Sequence, residues 1–197
     1  AAANAGVKAV FCEKPFVATP RQLADIRQLV ATTGIKIAVA HVRRYRPAFQ
    51  FAKQCFNNGT IGTPIACIAG IAGWDLSEWG SHWIDMYRYL LDEQPVEWVM
   101  GQARVRHTRG FGHAMEDHAT IHMGFASGAR GILDGGQGLP GSDIMTLVGS
   151  SGIITMHDEE SLTVTNAHGA ARHDFTNQVS WDGCWDAAIR DVHAWVA

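Results

Sequence analysis

Two stretches of this chain carry side chains able to move a proton on a bound hydroxyl. The first is Val10-Phe11-Cys12-Glu13-Lys14-Pro15-Phe16, where an apolar run over 7–12 stops at an acid, a base and a proline. A lysine there can titrate within reach of a ligand and polarise or deprotonate a hydroxyl. The second is Glu78-Trp79-Gly80-Ser81-His82. Residues four apart on a helix have Cβ atoms about 5–6 Å from each other. A carboxylate so placed fixes the imidazole tautomer and raises its basicity, which suits a general acid or base. Asp85 and Tyr89 continue that face. Taken singly, each stretch also has an ordinary structural reading. One is a strand ending in two solvated charges, the other a salt-bridged helix face around a structural histidine.

The elements that must position these groups are legible. Thr19 opens a helix with Pro20 in its first turn and Gln22 completing a capping box. Leu23, Ile26 and Val30 recur at spacings of three and four, and Gly34 closes the helix. The apolar run 35–40 is then the next strand, so strand, helix and strand form a parallel βαβ unit. Ligands collect at the carboxyl ends of such strands, which is where Glu13 and Lys14 fall. After the second strand comes His41-Val42-Arg43-Arg44-Tyr45-Arg46-Pro47, a basic loop in which Arg44 is suited to holding an anionic group. Pro47 starts a helix with Ala48, Phe49, Ala52 and Phe56 inward, ended by Asn57-Asn58-Gly59.

From Pro64 the texture changes to short strands and turns. A strand over 65–71 precedes a helix that runs from Glu78, with Trp79, Trp83, Met86 and Leu90 as its apolar stripe. Val96, Trp98 and Met100 alternate, and the phase slip over 101–103 predicts a bulge there. Ala119, Ile121, Met123 and Phe125 alternate, then a Ser127-Gly128 turn leads to a strand over 131–133. Runs 144–148 and 153–156 read as a hairpin, and Trp185, Ile189 and Val192 mark a last helix.

Two patterns are set aside. Residues 136–141 match G-x-G-x-x-G letter for letter, but Pro140 sits inside the match and a strand follows it. A pyrophosphate site needs a helix N-terminus at that place. His113, Glu116, Asp117, His118 and His122 invite a zinc site, yet alternation brings together only Glu116, His118 and His122. Polar residues on the outer face of a half-buried sheet account for them, and no metal is expected.

Composition narrows the class. Hydrophobic residues are 47% and charged residues 18% of 197, the balance of a globular chain. A net charge of -3 gives no reason to expect nucleic acid or an anionic membrane as a partner. No apolar run approaches the ~20 residues of a spanning helix, and the chain opens without a basic region followed by an apolar core. Cys12, Cys55, Cys67 and Cys184 are scattered without a CxxC pair. They read as small buried residues in a reducing compartment, so a cytoplasmic location is expected. The chain opens on Ala1-Ala2-Ala3-Asn4 and stops at Ala197 within a helical pattern, so a fragment of a longer protein is expected.

The run 10–16 resembles the E-K-P signature of the glucose-fructose oxidoreductase / inositol dehydrogenase (Gfo/Idh/MocA) family of NAD(P)-dependent oxidoreductases. The basic loop resembles the family's R-aromatic-x-P segment through Arg44, Tyr45 and Pro47. The segment 78–90 resembles a second signature, D-x-G-x-H-x-x-D followed by an apolar helix. Gly80, His82 and Asp85 match it, and Glu78 stands where the family usually has aspartate. The run 115–131 resembles the family's acidic-D strand pair.

The resemblance implies an α/β fold: the C-terminal part of a Rossmann domain over 1–62, then an α+β domain with a large, mostly antiparallel open sheet over 63–197. It implies hydride transfer between NAD or NADP and a sugar, polyol or related secondary alcohol. Lys14, His82 and Glu78 would be catalytic. Glu13, Lys14, Pro15 and Arg44 would meet the cofactor, and Lys14, Tyr45, His82 and Asp85 the substrate. The Lys14-Pro15 bond is a candidate cis peptide, and a homo-oligomer through the sheet is expected by the same analogy. Two alternatives stand beside this reading: a non-catalytic oligomerising sheet domain, and a glycosidase that uses NAD transiently.

Overall fold

The computed structural model describes residues 2–73, 75–106, 108–109, 113–136 and 145–197. The glycine pattern set aside above lies, beyond Gly136, outside the described residues. The chain forms two compact units, Ala1–Tyr45 with Ser180–Ala197, and Arg46–Val179. The helix that follows Arg46 packs with the large sheet of the second unit.

In the first unit, β1 (Ala9–Cys12) and β2 (Lys36–Val39) pair in parallel, Val10 opposite Ile37 and Phe11 opposite Ala38. Helix α1 (Pro20–Thr33) joins them. Its capping box forms: the Thr19 hydroxyl accepts from the Gln22 N–H at 3.2 Å, and the Gln22 side chain accepts from the Thr19 N–H at 3.1 Å. Gly34 ends it in the left-handed region at φ 70°, its N–H donated to the Val30 carbonyl. A 3-10 turn over Val42–Tyr45 follows β2. The chain returns to this unit as its last helix, Trp181–Val196.

In the second unit, α2 (Pro47–Asn57) buries Ala48, Phe49, Ala52, Cys55 and Phe56 as its spacing requires. The sheet has eight strands: β3 (Pro64–Ala72), β4 (Val96–Arg104), β7 (His118–Phe125), β8 (Arg130–Gly136), β9 (Met145–Gly149), β10 (Gly152–Met156), β11 (Ser161–Asn166) and β12 (Gly169–Asp174). A small hairpin, β5 (Thr108–Arg109) with β6 (His113–Ala114), stands apart. The order is β12-β11-β10-β9-β3-β8-β7-β4, antiparallel between these neighbours except for β3 and β8. The expected bulge is displaced: the register shifts between Val96 and Trp98, not at 101. Gly101 instead admits a close strand, since a Cβ there would meet the Thr120 carbonyl oxygen at 2.8 Å.

Helix α3 (Ser81–Leu90) lies with α2 on one face of this sheet, burying Trp83, Met86, Tyr87 and Leu90. The ring of Tyr87 fits because β8 has no side chain beneath it; a Cβ on Gly131 would meet Tyr87 Cδ2 at 2.8 Å. The Tyr87 hydroxyl donates to the Ile132 carbonyl at 2.7 Å. Returning to the first unit, α4 (Trp181–Val196) is capped by Ser180 and sets Trp185 edge-on to Phe11 at 5.8 Å.

Cys67 of β3 is fully buried, and burial pushes its thiol up from the ordinary 9.0 to about 12. The unfolded chain releases this proton first, so the stability tied to it is complete below about pH 9 and is lost as pH rises toward 12. Tyr87, raised by burial and then by Cys67, acts in the same direction at higher pH. Cys67→Ala should cost about 1–2 kcal/mol at pH 7. It should also flatten the fall of melting temperature across the alkaline range, read by circular dichroism.

Candidate active site

The first-unit residues follow directly from the two parallel strands. Pairing continues past β2, where the Ala40 N–H donates to the Cys12 carbonyl at 2.8 Å. Glu13 is exposed, and its carboxylate accepts from the Lys14 N–H at 3.1 Å, which tightens the turn. Lys14 is half-buried, and the Lys14–Pro15 peptide is cis. Arg44 lies in the 3-10 turn after β2, its N–H donated to the His41 carbonyl at 3.4 Å. Tyr45 is held at its tip, the hydroxyl donating to Asp191 of α4 at 2.8 Å. Glu13, Lys14, Arg44 and Tyr45 therefore all follow the carboxyl ends of one strand pair. An acid, an ammonium and a guanidinium make a donor set that fits a ribose and an anionic dinucleotide.

The second-unit residues enter through a π-helical turn, Leu76–Gly80, directly ahead of α3. The segment expected as one helix from Glu78 is thus π-wound up to Gly80 and α-helical only from Ser81. Periodicity could not show this, because a π turn closes i to i+5 and inserts one residue without altering composition. Two carboxylates occupy the start of the turn. Asp75 caps it, accepting from the Glu78 N–H at 2.7 Å. Glu116 takes both the Ser77 N–H, at 2.7 Å, and the Ser77 hydroxyl. Leu76 seats the turn on β8, where a Cβ on Gly135 would meet Leu76 Cδ2 at 2.5 Å. Gly80 is equally constrained, since its Cβ would lie 2.9 Å from Leu76 Cβ.

Beyond this turn His82 is 7% and Asp85 9% exposed, one turn apart on a helix whose other inward residues are apolar. The Trp79 ring lies 5.7 Å from that of His82. Ionisable groups are seldom buried unless held by partners, so two on one helix face mark a place where polar groups are gathered. The residues weighed for zinc go elsewhere: Glu116 to Ser77, His118 to Asp134 at 3.1 Å, and His122 against the Trp98 ring at 5.0 Å. Among the described residues no three His, Cys, Asp or Glu side chains form a metal-holding group.

Sequence reasoning missed the anchoring role of Asp75, Ser77 and Glu116. Asp75 had a local signal, an acid three residues before Glu78 at a helix start. Glu116 had none, being 39 residues from its partner.

Residues 49–155 match the family model for the GFO/IDH/MocA C-terminal domain. An inositol 2-dehydrogenase of Rhizobium meliloti is 28% identical over 88% of this chain and 58% of its own length. The chain thus spans somewhat over half of that relative. Among solved structures, an oxidoreductase from Thermotoga maritima superposes with a TM-score of 0.77 at 21% identity, covering 100% of this chain and 62% of that one. An inositol dehydrogenase homologue of Azotobacter vinelandii, solved with NADH and myo-inositol, gives 0.72 at 18% identity, over 88% of this chain and 51% of that one. The open sheet, the helices on one of its faces and the matched domain agree: this chain belongs to the Gfo/Idh/MocA family.

Proposed function

We propose that the protein is an NAD(P)-dependent oxidoreductase acting on a secondary alcohol of a sugar, polyol or related compound. The observation that carries this reading is the burial of His82 and Asp85 behind a carboxylate-anchored π turn, in a domain of the Gfo/Idh/MocA family. The dinucleotide, NAD or NADP, supplies the hydride acceptor. Residues 1–62 serve it as the end of a dinucleotide-binding domain, and 63–197 carry substrate contacts and assembly. Glu13, Lys14, Pro15 and Arg44 are assigned to the cofactor, Glu13 and Pro15 shaping the turn at the nicotinamide ribose. Lys14 donates a hydrogen bond to the substrate hydroxyl and holds the negative charge that develops on its oxygen. His82 takes the hydroxyl proton on its imidazole, oriented by Glu78 or Asp85. Tyr45 and Asp85 complete the polar contacts to the substrate. The free cysteines suit a reducing, cytoplasmic setting.

The open face of the sheet supports a homo-oligomer. The register aligns Met100, His122, Ile132, Ile68 and Thr146 in one row across five strands, on the face opposite the core. Met100 is 62% and Ile68 38% exposed. Trp98 (44% exposed) lies flat enough on Gly124 that a Cβ there would meet its indole nitrogen at 2.1 Å. Exposed apolar side chains gathered on one sheet face in this way support the reading of an interface. By itself the strip equally supports a non-catalytic oligomerising domain.

Two measurements separate these readings. Lys14→Met in the full-length protein should lower kcat with myo-inositol and NAD by at least about 10³-fold while leaving NAD affinity by calorimetry within a few-fold. Wild-type rates in this variant would remove Lys14 from the mechanism, and wild-type protein that binds neither NAD nor NADP would favour the non-catalytic domain. Separately, Ile68→Lys with Met100→Glu should convert the oligomer to monomer in sedimentation velocity without loss of helical or strand signal.

A further inference from the structure

We infer that Glu116 is a positioning residue for His82: by gripping Ser77 it holds the π turn that sets the entry of α3. The inference rests on the proposed role of His82. Glu116 is 7% exposed, so its carboxylate is largely withdrawn from water and depends on its partners. Both oxygens are used, one by the Ser77 N–H at 2.7 Å and the other by the Ser77 hydroxyl. The acid also complements the positive end of the helix that begins there.

The backbone that presents Glu116 is itself pinned. The Asp117 N–H donates to the Arg104 carbonyl at 2.8 Å, and the Asp117 carboxylate accepts from the Arg106 N–H at 2.6 Å. One residue later β7 begins, bonded on both sides to β4 and β8. Ser77 is thereby tied to the sheet at a fixed place, not only to its own helix. This matters because a π turn holds one residue more than an α turn. If the turn rewound as α-helix, its own first residues, Ser77 among them, and those ahead of it would swing by up to about 100° around the axis relative to His82. Asp75 cannot prevent this alone, because its bond to the Glu78 N–H is a cap within the same segment and moves with it.

Glu116→Gln is the informative change. A carboxamide keeps one accepting oxygen for the Ser77 N–H but loses the negative charge, and its NH2 can meet the Ser77 hydroxyl only as a donor, so both charge-assisted bonds are lost. In the full-length protein without cofactor or substrate, amide exchange at Ser77 and Glu78 should accelerate at least tenfold, and the His82 ring resonances should move. Melting temperature should stay near wild type. Ser77→Ala, which removes only the hydroxyl bond, should act in the same direction more weakly, and the double variant should be no worse than Glu116→Gln alone. With myo-inositol and NAD as probes, kcat should fall at least tenfold while the KM for NAD is unchanged. Unchanged exchange and His82 resonances in both variants would overturn the inference. So would a uniform acceleration across α3 and β7 with a lowered melting temperature, which would make Glu116 a general structural residue. If wild type turns over no polyol yet Glu116→Gln still moves the His82 resonances, the dehydrogenase reading fails and the positioning stands.

Discussion

The second unit depends on one face of its sheet being dry. The row Met123, Gly131, Cys67, Leu147, Ile154 and Val164 runs across β7, β8, β3, β9, β10 and β11 by register, and α2 and α3 cover it. Two small members, Gly131 and Cys67, allow Tyr87 to descend onto the sheet, and its hydroxyl finds the Ile132 carbonyl there. This seating sets the height of α3 over β8. Leu76, lodged against Gly135 four residues further along the same strand, fixes the helix entry. A strand with side chains at both glycines would lift the helix, so the placement of His82 begins with an absence of bulk on β8.

Upon that seating sits a local conflict between burial and charge. His82 and Asp85 are withdrawn from water on a helix that otherwise buries aromatics and aliphatics. Burying polar groups costs free energy unless they are held by partners or given a task. The same region departs from regular α-helix at Leu76–Gly80, and π turns recur at functional sites. The two irregularities fall within seven residues of each other, whereas the rest of α3 obeys simple amphipathic spacing.

What was legible in the sequence follows the range of the interactions involved. The capping box at Thr19 and Gln22, the Gly34 terminus and the inward face of α2 each depend on neighbours within a turn or two, and each forms as read. The β4 bulge lies earlier than the phase slip over 101–103 indicates. Gly101 is instead a place where the neighbouring strand comes close, opposite Ile121 and against the Thr120 carbonyl, and only the pairing reveals that. Strand β12 is a polar and small-residue edge without a hydrophobic signature, and β11 beside it offers only Leu162 and Val164 alternating inward. The grip of Glu116 on Ser77 is invisible to such reading because it joins segments far apart in the chain.

The two carboxylates on the π turn show that distinction within a single structure. Asp75 is three residues from Glu78, and its cap can form in an isolated helix start. Glu116 reaches Ser77 across 39 residues, and its backbone is fixed only once the segment ahead of β7 is bonded to β4. The start of the turn is therefore held by both acids only when the sheet is paired, and its winding is a property of the sheet as much as of the helix. A side chain such as His82, one turn downstream, inherits its orientation from strand pairing that its own sequence neighbourhood does not encode. That is why a short motif can single out His82 as a candidate, while Glu116, which grips the turn ahead of it, carries no signal in that motif.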